Sequence, residues 1–109
     1  MSSEKFSHST VFKFPNEVDY SDGGIVSKRV IHKDVGNVSL FAFDQGQQLS
    51  EHTAPFDALL TVLEGKGEVM IDGNPYQLGA GETVIMPANI PHAVNAVERF
   101  KMLLVMIKG

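Results

Sequence analysis

Residues Gly46 to Gly65 read GQQLSEHTAPFDALLTVLEG, and this stretch decides how the rest of the chain is arranged. A polar turn opens it, His52 sits on a short extended segment, and Pro55 interrupts the chain before an apolar strand resumes. Glu64-Gly65-Lys66-Gly67 then reads as a tight turn that ends the strand. Further on, Gly81 to His92 (GETVIMPANIPH) repeats the order of turn, apolar strand, two prolines and a histidine. Side chains alternate across a strand. Two strand-borne histidines on either side of a turn-rich middle are therefore what opposite walls of a barrel present to one interior.

The flanking sequence keeps the same rhythm. Val11 to Phe14 reads as an edge strand stopped by Pro15, and Ile25 to His32 and Val38 to Phe43 as strands separated by a break at Asp34-Val35-Gly36-Asn37. Glu68 to Ile71 closes on Asp72-Gly73, a favoured hairpin signal. Tyr76 to Leu78, Thr83 to Met86, Ala93 to Val97 and Phe100 to Ile107 follow. This makes about nine short strands at regular spacing, with no sustained helical stripe, and that pattern predicts an all-β sandwich or barrel. Residues 1–10 are polar and are expected to form a flexible tail, leaving 11–109 as the domain.

A chain of 109 residues holds one domain, and 43% hydrophobic residues is enough for a packed core. A net charge of −4 without a basic stripe argues against nucleic acid. With no cysteine, disulfides, thiolate metal sites and cysteine nucleophiles are excluded. No apolar run is long enough for a membrane span, and the N-terminal residues lack the apolar core of a signal peptide. A cytoplasmic protein without membrane contact is the expectation. The glycines punctuate turns and lack the pattern of a phosphate-cradling loop, so no nucleotide cofactor is expected.

The two histidine passages resemble the two sequence motifs of the cupin superfamily. Gly46, five residues, His52 and then Gly65 fit the first motif, G(X)5HXH(X)3,4E(X)6G. Gly81, five residues, Pro87 and then His92 fit the second, G(X)5PXG(X)2H(X)3N. The resemblance implies a single-domain double-stranded β-helix, the RmlC-like jelly-roll barrel, and a homodimer. In this family the metal ligands are two histidines and a glutamate from the first motif and the histidine of the second. Mapped here they fall on His52, Ala54, Ala58 and His92, so two of the positions carry no donor atom. Asn89 and Ala96 replace the second motif's glycine and final asparagine.

What survives sets the functional expectations. His52 and His92 are the metal ligands the resemblance implies, for one divalent ion (iron, manganese, zinc, nickel or copper). Asp57, one residue before the missing glutamate, is the nearest replacement donor, with Glu51 and Gln48 further off. With His52 facing inward, alternation also places Ala54 inside and, past Pro55, Ala58 and Leu60; on the last strand Met102 and Leu104 share a face with Met106. The expected pocket is thus His52, Ala54, Ala58, Leu60, Met86, His92, Met102 and Leu104, an apolar cavity with two imidazoles. Three functions follow from this. The first is a small-molecule-binding barrel, with or without a metal. The second is a metal-dependent enzyme of the dioxygenase or isomerase kind, and the third a structural or partner-binding barrel. Catalytic residues are not assigned at this level. His8 and His32, in a polar tail and at a turn, read as solvent histidines.

Overall fold

A computed structural model of the protein describes residues 6–108. Seven strands run β1 (Ile25–Lys33), β2 (Gly36–Phe43), β3 (Gln48–His52), β4 (Phe56–Ile71), β5 (Asn74–Gly79), β6 (Thr83–Met86) and β7 (His92–Lys108). All pairings are antiparallel. β4 and β7 are the two long strands, and they pair with each other along nearly their whole length, from Phe56↔Lys108 to Ile71↔His92. The first half of β4 and the second half of β7 join β6, β2 and β1. The other halves join β5 and β3. The ladder bends where its register shifts, between Val62 and Glu64 and between Gly65 and Gly67. Such bulges add twist and re-aim a strand, which folds one bent sheet into the two walls of a jelly-roll barrel.

The inner faces meet in one buried cluster, with Phe43, Leu60, Val62 and Met102 from one wall and Val69, Leu78, Val94 and Ala96 from the other. Phe43 stacks on Phe100 with centroids 4.7 Å apart. A second cluster, Val18, Leu40 and Ala42 with Leu63, Leu103, Phe6, Phe14 and Tyr20 against it, lies where the N-terminal segment crosses the outer face of the first wall. Lys101 is buried there, its Nζ donating to the Pro15 carbonyl at 2.6 Å. The Tyr20 hydroxyl donates to Glu64 at 2.7 Å. Burial first, and that bond second, push the phenol's pKa well above its ordinary value.

Three expectations are corrected here. Glu64-Gly65-Lys66-Gly67 is not a turn: β4 runs through it as a bulge, because the partner strand β7 supplies hydrogen bonds on both sides. For the same reason Ala93–Val97 and Phe100–Ile107 are one strand, so there are seven strands rather than nine. Val11 to Phe14 forms no edge strand; Phe14–Asn16 is a short 3-10 turn with Pro15 at its start, where the missing N–H is harmless. Of the expected tail, residues 1–5 lie outside the described residues, and the Phe6 ring rests on Phe12 at 4.9 Å. No described helix is long and apolar enough to cross a membrane.

Candidate functional site

β3 ends at His52 and β7 begins at His92, and the ladder pairs these two residues directly, so the histidines stand on adjacent strands of one wall and not on the opposite walls expected from the sequence. The alternation of β3 is broken by a register shift between Leu49 and His52, so both of these face the barrel interior. Two loops form the rim. Asn89 adopts φ +64°, a left-handed conformation that asparagine tolerates, and its N–H donates to the Ala54 carbonyl at 2.7 Å. That conformation explains why asparagine can stand at the motif's glycine position.

Each histidine is oriented by the residue two before it. His52 Nδ1 lies 2.7 Å from the Ser50 carbonyl oxygen and His92 Nδ1 lies 3.1 Å from that of Ile90. A carbonyl oxygen only accepts, so a ring bonded to it donates through Nδ1–H; a hydrogen between the two Nε2 atoms then requires one ring to carry both protons or to give up its carbonyl contact. The two Nε2 atoms are 3.1 Å apart, with the rings at 70° and their centroids separated by 4.4 Å. His92 is only 6% exposed. Burial holds its pKa below the ordinary histidine value and the neighbouring His52 charge adds to that, while the Ile90 carbonyl pulls the other way.

Above this pair lies a cavity of about 170 Å³. The structure brings His52, Ala54, Ala58, Leu60, Met86, His92, Met102 and Leu104 together around it. Leu49, Val94 and Met106 complete the wall. Val94 and Met106 share strand parity with His92 and Met102 and so had a sequence signal; Leu49 had none, because the bulge alone turns it inward. The lining has no polar side chain beyond the two histidines.

Asp57 is not brought to the pair. It lies on the opposite face of β4 from Ala58, and its carboxylate accepts the Ala88 N–H at 2.9 Å, tying β4 to the rim loop. Glu51 and Gln48 are exposed and outside the cavity lining. Among the described residues no three His, Cys, Asp or Glu side chains gather as a metal-ligand group. The donors present are two imidazoles where a protein site normally supplies about three or four, so the chain's own residues do not fit the family's four-ligand centre. A larger groove of about 400 Å³ runs beside β1, lined by Phe6, His8, Arg29, Val30, Ile31, His32 and Lys33. It is more open to solvent than the barrel cavity, where two imidazoles meet at 3.1 Å.

The Cupin domain family profile matches residues 39–108. A conserved Streptococcus pyogenes protein of unknown function is 36% identical over 95% of this chain and 91% of that one, with a TM-score of 0.91. A cupin 2 conserved barrel domain protein from Leptotrichia buccalis is 45% identical over 89% of this chain, with a TM-score of 0.87, and this chain spans 47% of its length. A salicylate 1,2-dioxygenase from Pseudaminobacter salicylatoxidans shares the fold at 16% identity and a TM-score of 0.72, over 78% of this chain and 26% of that one. No functionally curated protein matches.

Proposed function

Because this chain belongs to the cupin family, we propose that it is a small-molecule-binding barrel whose ligand enters the apolar cavity and meets His52 and His92 at its polar end. The observation that carries this reading is the opposed Nε2 pair, 3.1 Å apart, facing an otherwise apolar cavity of about 170 Å³. Apolar walls with a few convergent polar groups are the usual composition of a small-ligand site. A purely structural barrel would gain by filling the cavity, which alanine at positions 54 and 58 leaves open.

The reading predicts that metal-stripped protein is stabilised by ligand. A ligand at a hundred times its dissociation constant adds about 2.7 kcal/mol, which for a domain of this size raises Tm by roughly 10 °C. A thermal-shift screen of compact, mostly apolar metabolites that finds no stabilising compound would count against it.

The metal-dependent dioxygenase or isomerase reading is second, favoured by one feature: two imidazole Nε2 atoms 3.1 Å apart on one cavity wall. His52 and His92 would hold the ion, which would supply Lewis acidity or an oxygen-binding centre. The remaining donors would have to come from outside the chain's own side chains. Elemental analysis of untagged protein tests it: failure to take up any offered ion removes the enzyme reading, while stoichiometric metal is compatible with both readings and leaves oxygen-uptake and isomerase assays to separate them.

The partner expected is a second copy of the chain. The outer face of the first wall is apolar beyond the part that the N-terminal segment covers, with Ile31, Val35, Ile85 and Ile107 each half exposed or more. Contiguous exposed apolar area of this kind is where protein partners pack.

A further inference from the structure

We propose that the groove beside β1 is a binding site separate from the barrel cavity, and that it takes the phosphate monoester of a small apolar alcohol. The groove shares no lining residue with the barrel cavity and does not depend on what the barrel holds.

The groove exists because β1 is the edge of the sheet, paired with β2 alone. Residues 29–33 line it without a break, since the backbone edge and both faces of the strand open on it. Residues paired across a ladder share a face, and the bulge between Arg29 and Ile31 resets the alternation. Arg29, opposite Ser39, and His32, opposite Asn37, therefore share one face, while Lys33, opposite Gly36, is on the other. Cationic side chains thus flank the strand edge from both sides. The N-terminal segment forms the rest of the wall and brings His8 to it. Phe6 holds that segment in place. Its ring packs with the outer-face cluster and on Phe12 at 4.9 Å, with the Lys28 ammonium 5.1 Å from its centroid.

The hydrogen-bonding side chains of this lining are a guanidinium, an ammonium and two imidazoles, and among the described residues no carboxylate joins them. Each imidazole has at least one N–H to donate. A chain with 13 acidic and 9 basic residues would not give that composition by spreading its charge evenly. Lys28, Arg99 and Lys101 each have a carboxylate at 2.7–3.9 Å. Arg29 and Lys33 are exposed and have none among the described residues. A guanidinium fork and an ammonium point charge both suit phosphate oxygens. A phosphate monoester carries about −1.5 to −2 charges at pH 7 and three acceptor oxygens, so it can meet donors arriving from several sides. A planar carboxylate with a single charge meets fewer. Phe6 and Val30 offer apolar surface to the body of the ester, and about 400 Å³ is within the range of small-ligand sites. The net charge of −4 disfavours a longer polyanion, which needs many phosphates neutralised.

The test is a titration of the full chain with phenyl phosphate, inorganic phosphate and phenol, followed by the side-chain magnetic resonances of His8, Arg29 and His32. Phenyl phosphate should shift these and leave those of His52 and His92 in place. It should bind about tenfold tighter than inorganic phosphate, which lacks the apolar body, and tighter still than phenol, which lacks the charge. Arg29→Gln should weaken phenyl phosphate about tenfold or more, the worth of a charged hydrogen bond, and Lys33→Gln should weaken it less. Lys66→Gln, an exposed charge on the other wall, should change affinity by less than about twofold. Arg29 and Lys66 are exposed, so both variants should unfold at the wild-type temperature. Shifts confined to His52 and His92 would put the ligand in the barrel and overturn the separate site. Inorganic phosphate binding as tightly as its phenyl ester would overturn the ester assignment. Equal effects of Arg29→Gln and Lys66→Gln would reduce the groove to a solvated basic face. No shift up to about 10 mM phenyl phosphate would end the proposal.

Discussion

Replacing Gly65 by alanine tests the bend on which the site depends. Gly65 sits in the β4 bulge at φ +79°, a conformation in which an L side chain costs about 1–2 kcal/mol. A Cβ built there would lie 2.8 Å from the Phe100 Cα and 2.9 Å from the Arg99 carbonyl carbon, and would overlap the Arg99 carbonyl oxygen. These are backbone atoms of β7, which cannot swing aside as a side-chain tip can. Forcing extra volume into a tight contact costs typically about 1–3 kcal/mol. The sum is about 2–5 kcal/mol, or a Tm lowered by roughly 8–20 °C for a domain of this size. Gly46→Ala is the control: its φ is +85° and its Cβ would meet nothing within 4 Å, so it carries only the conformational cost. Urea and thermal unfolding of both variants isolate the clash as their difference, about 1–3 kcal/mol. The effect should also reach the cavity, since the bend at 64–67 sets the Ala58 and Leu60 wall against the half of β4 that pairs with His92. Equal destabilisation of the two variants would refute the close approach of β4 and β7, and with it the account of how this bend is fixed.

Asp44 gives a prediction in acid. Its carboxyl is held down to about 2, chiefly by the Arg99 hydrogen bond and then by the N–H groups of Gly23 and Gln45. A folded pKa below the unfolded value of 3.8 contributes stability that is present above pH 3.8 and is lost as pH falls toward 2. Urea midpoints of Asp44→Asn between pH 4.5 and 2 should therefore fall less steeply than those of the wild type, and parallel curves would contradict the assignment. On the outer face, sedimentation should find the wild type as a homodimer and Ile107→Lys as a monomer, because a charge on an apolar interface is left unpaired. A monomeric wild type would remove the partner proposal.

Much of the barrel was legible because its signals are local. Asp72-Gly73 was identified as a hairpin turn, and its residues adopt φ +51° and +81°, the paired positive values such a turn requires. The alternation of Met102, Leu104 and Met106 was enough to place them on one face, which lines the cavity. Gly65 and Gly67 misled for a physical reason. A glycine pair beside Glu64 and Lys66 has the chemistry of a turn, but the reason for glycine here is the approach of another strand. A Cβ on Gly67 would strike the Phe100 ring at 2.8 Å. Nothing near residue 67 in the sequence announces Phe100. Asp57 misled in the same way, since strand parity was uncertain past Pro55 until the pairing of Asp57 with Ile107 put it on the outer face.

The sequence by itself determined the all-β class, most of the strand positions and the two inward histidines, because alternation and turn chemistry act between residues a few positions apart. It also determined that two of the four motif ligand positions are alanine, a matter of composition that no folding changes. Only the tertiary structure decided that His52 and His92 stand across one ladder with Nε2 facing Nε2. It also decided that the Ser50 and Ile90 carbonyls lie against their Nδ1 atoms. Those facts depend on ring orientations and on strands separated by 40 residues, and they bring two histidines together at the end of an apolar cavity.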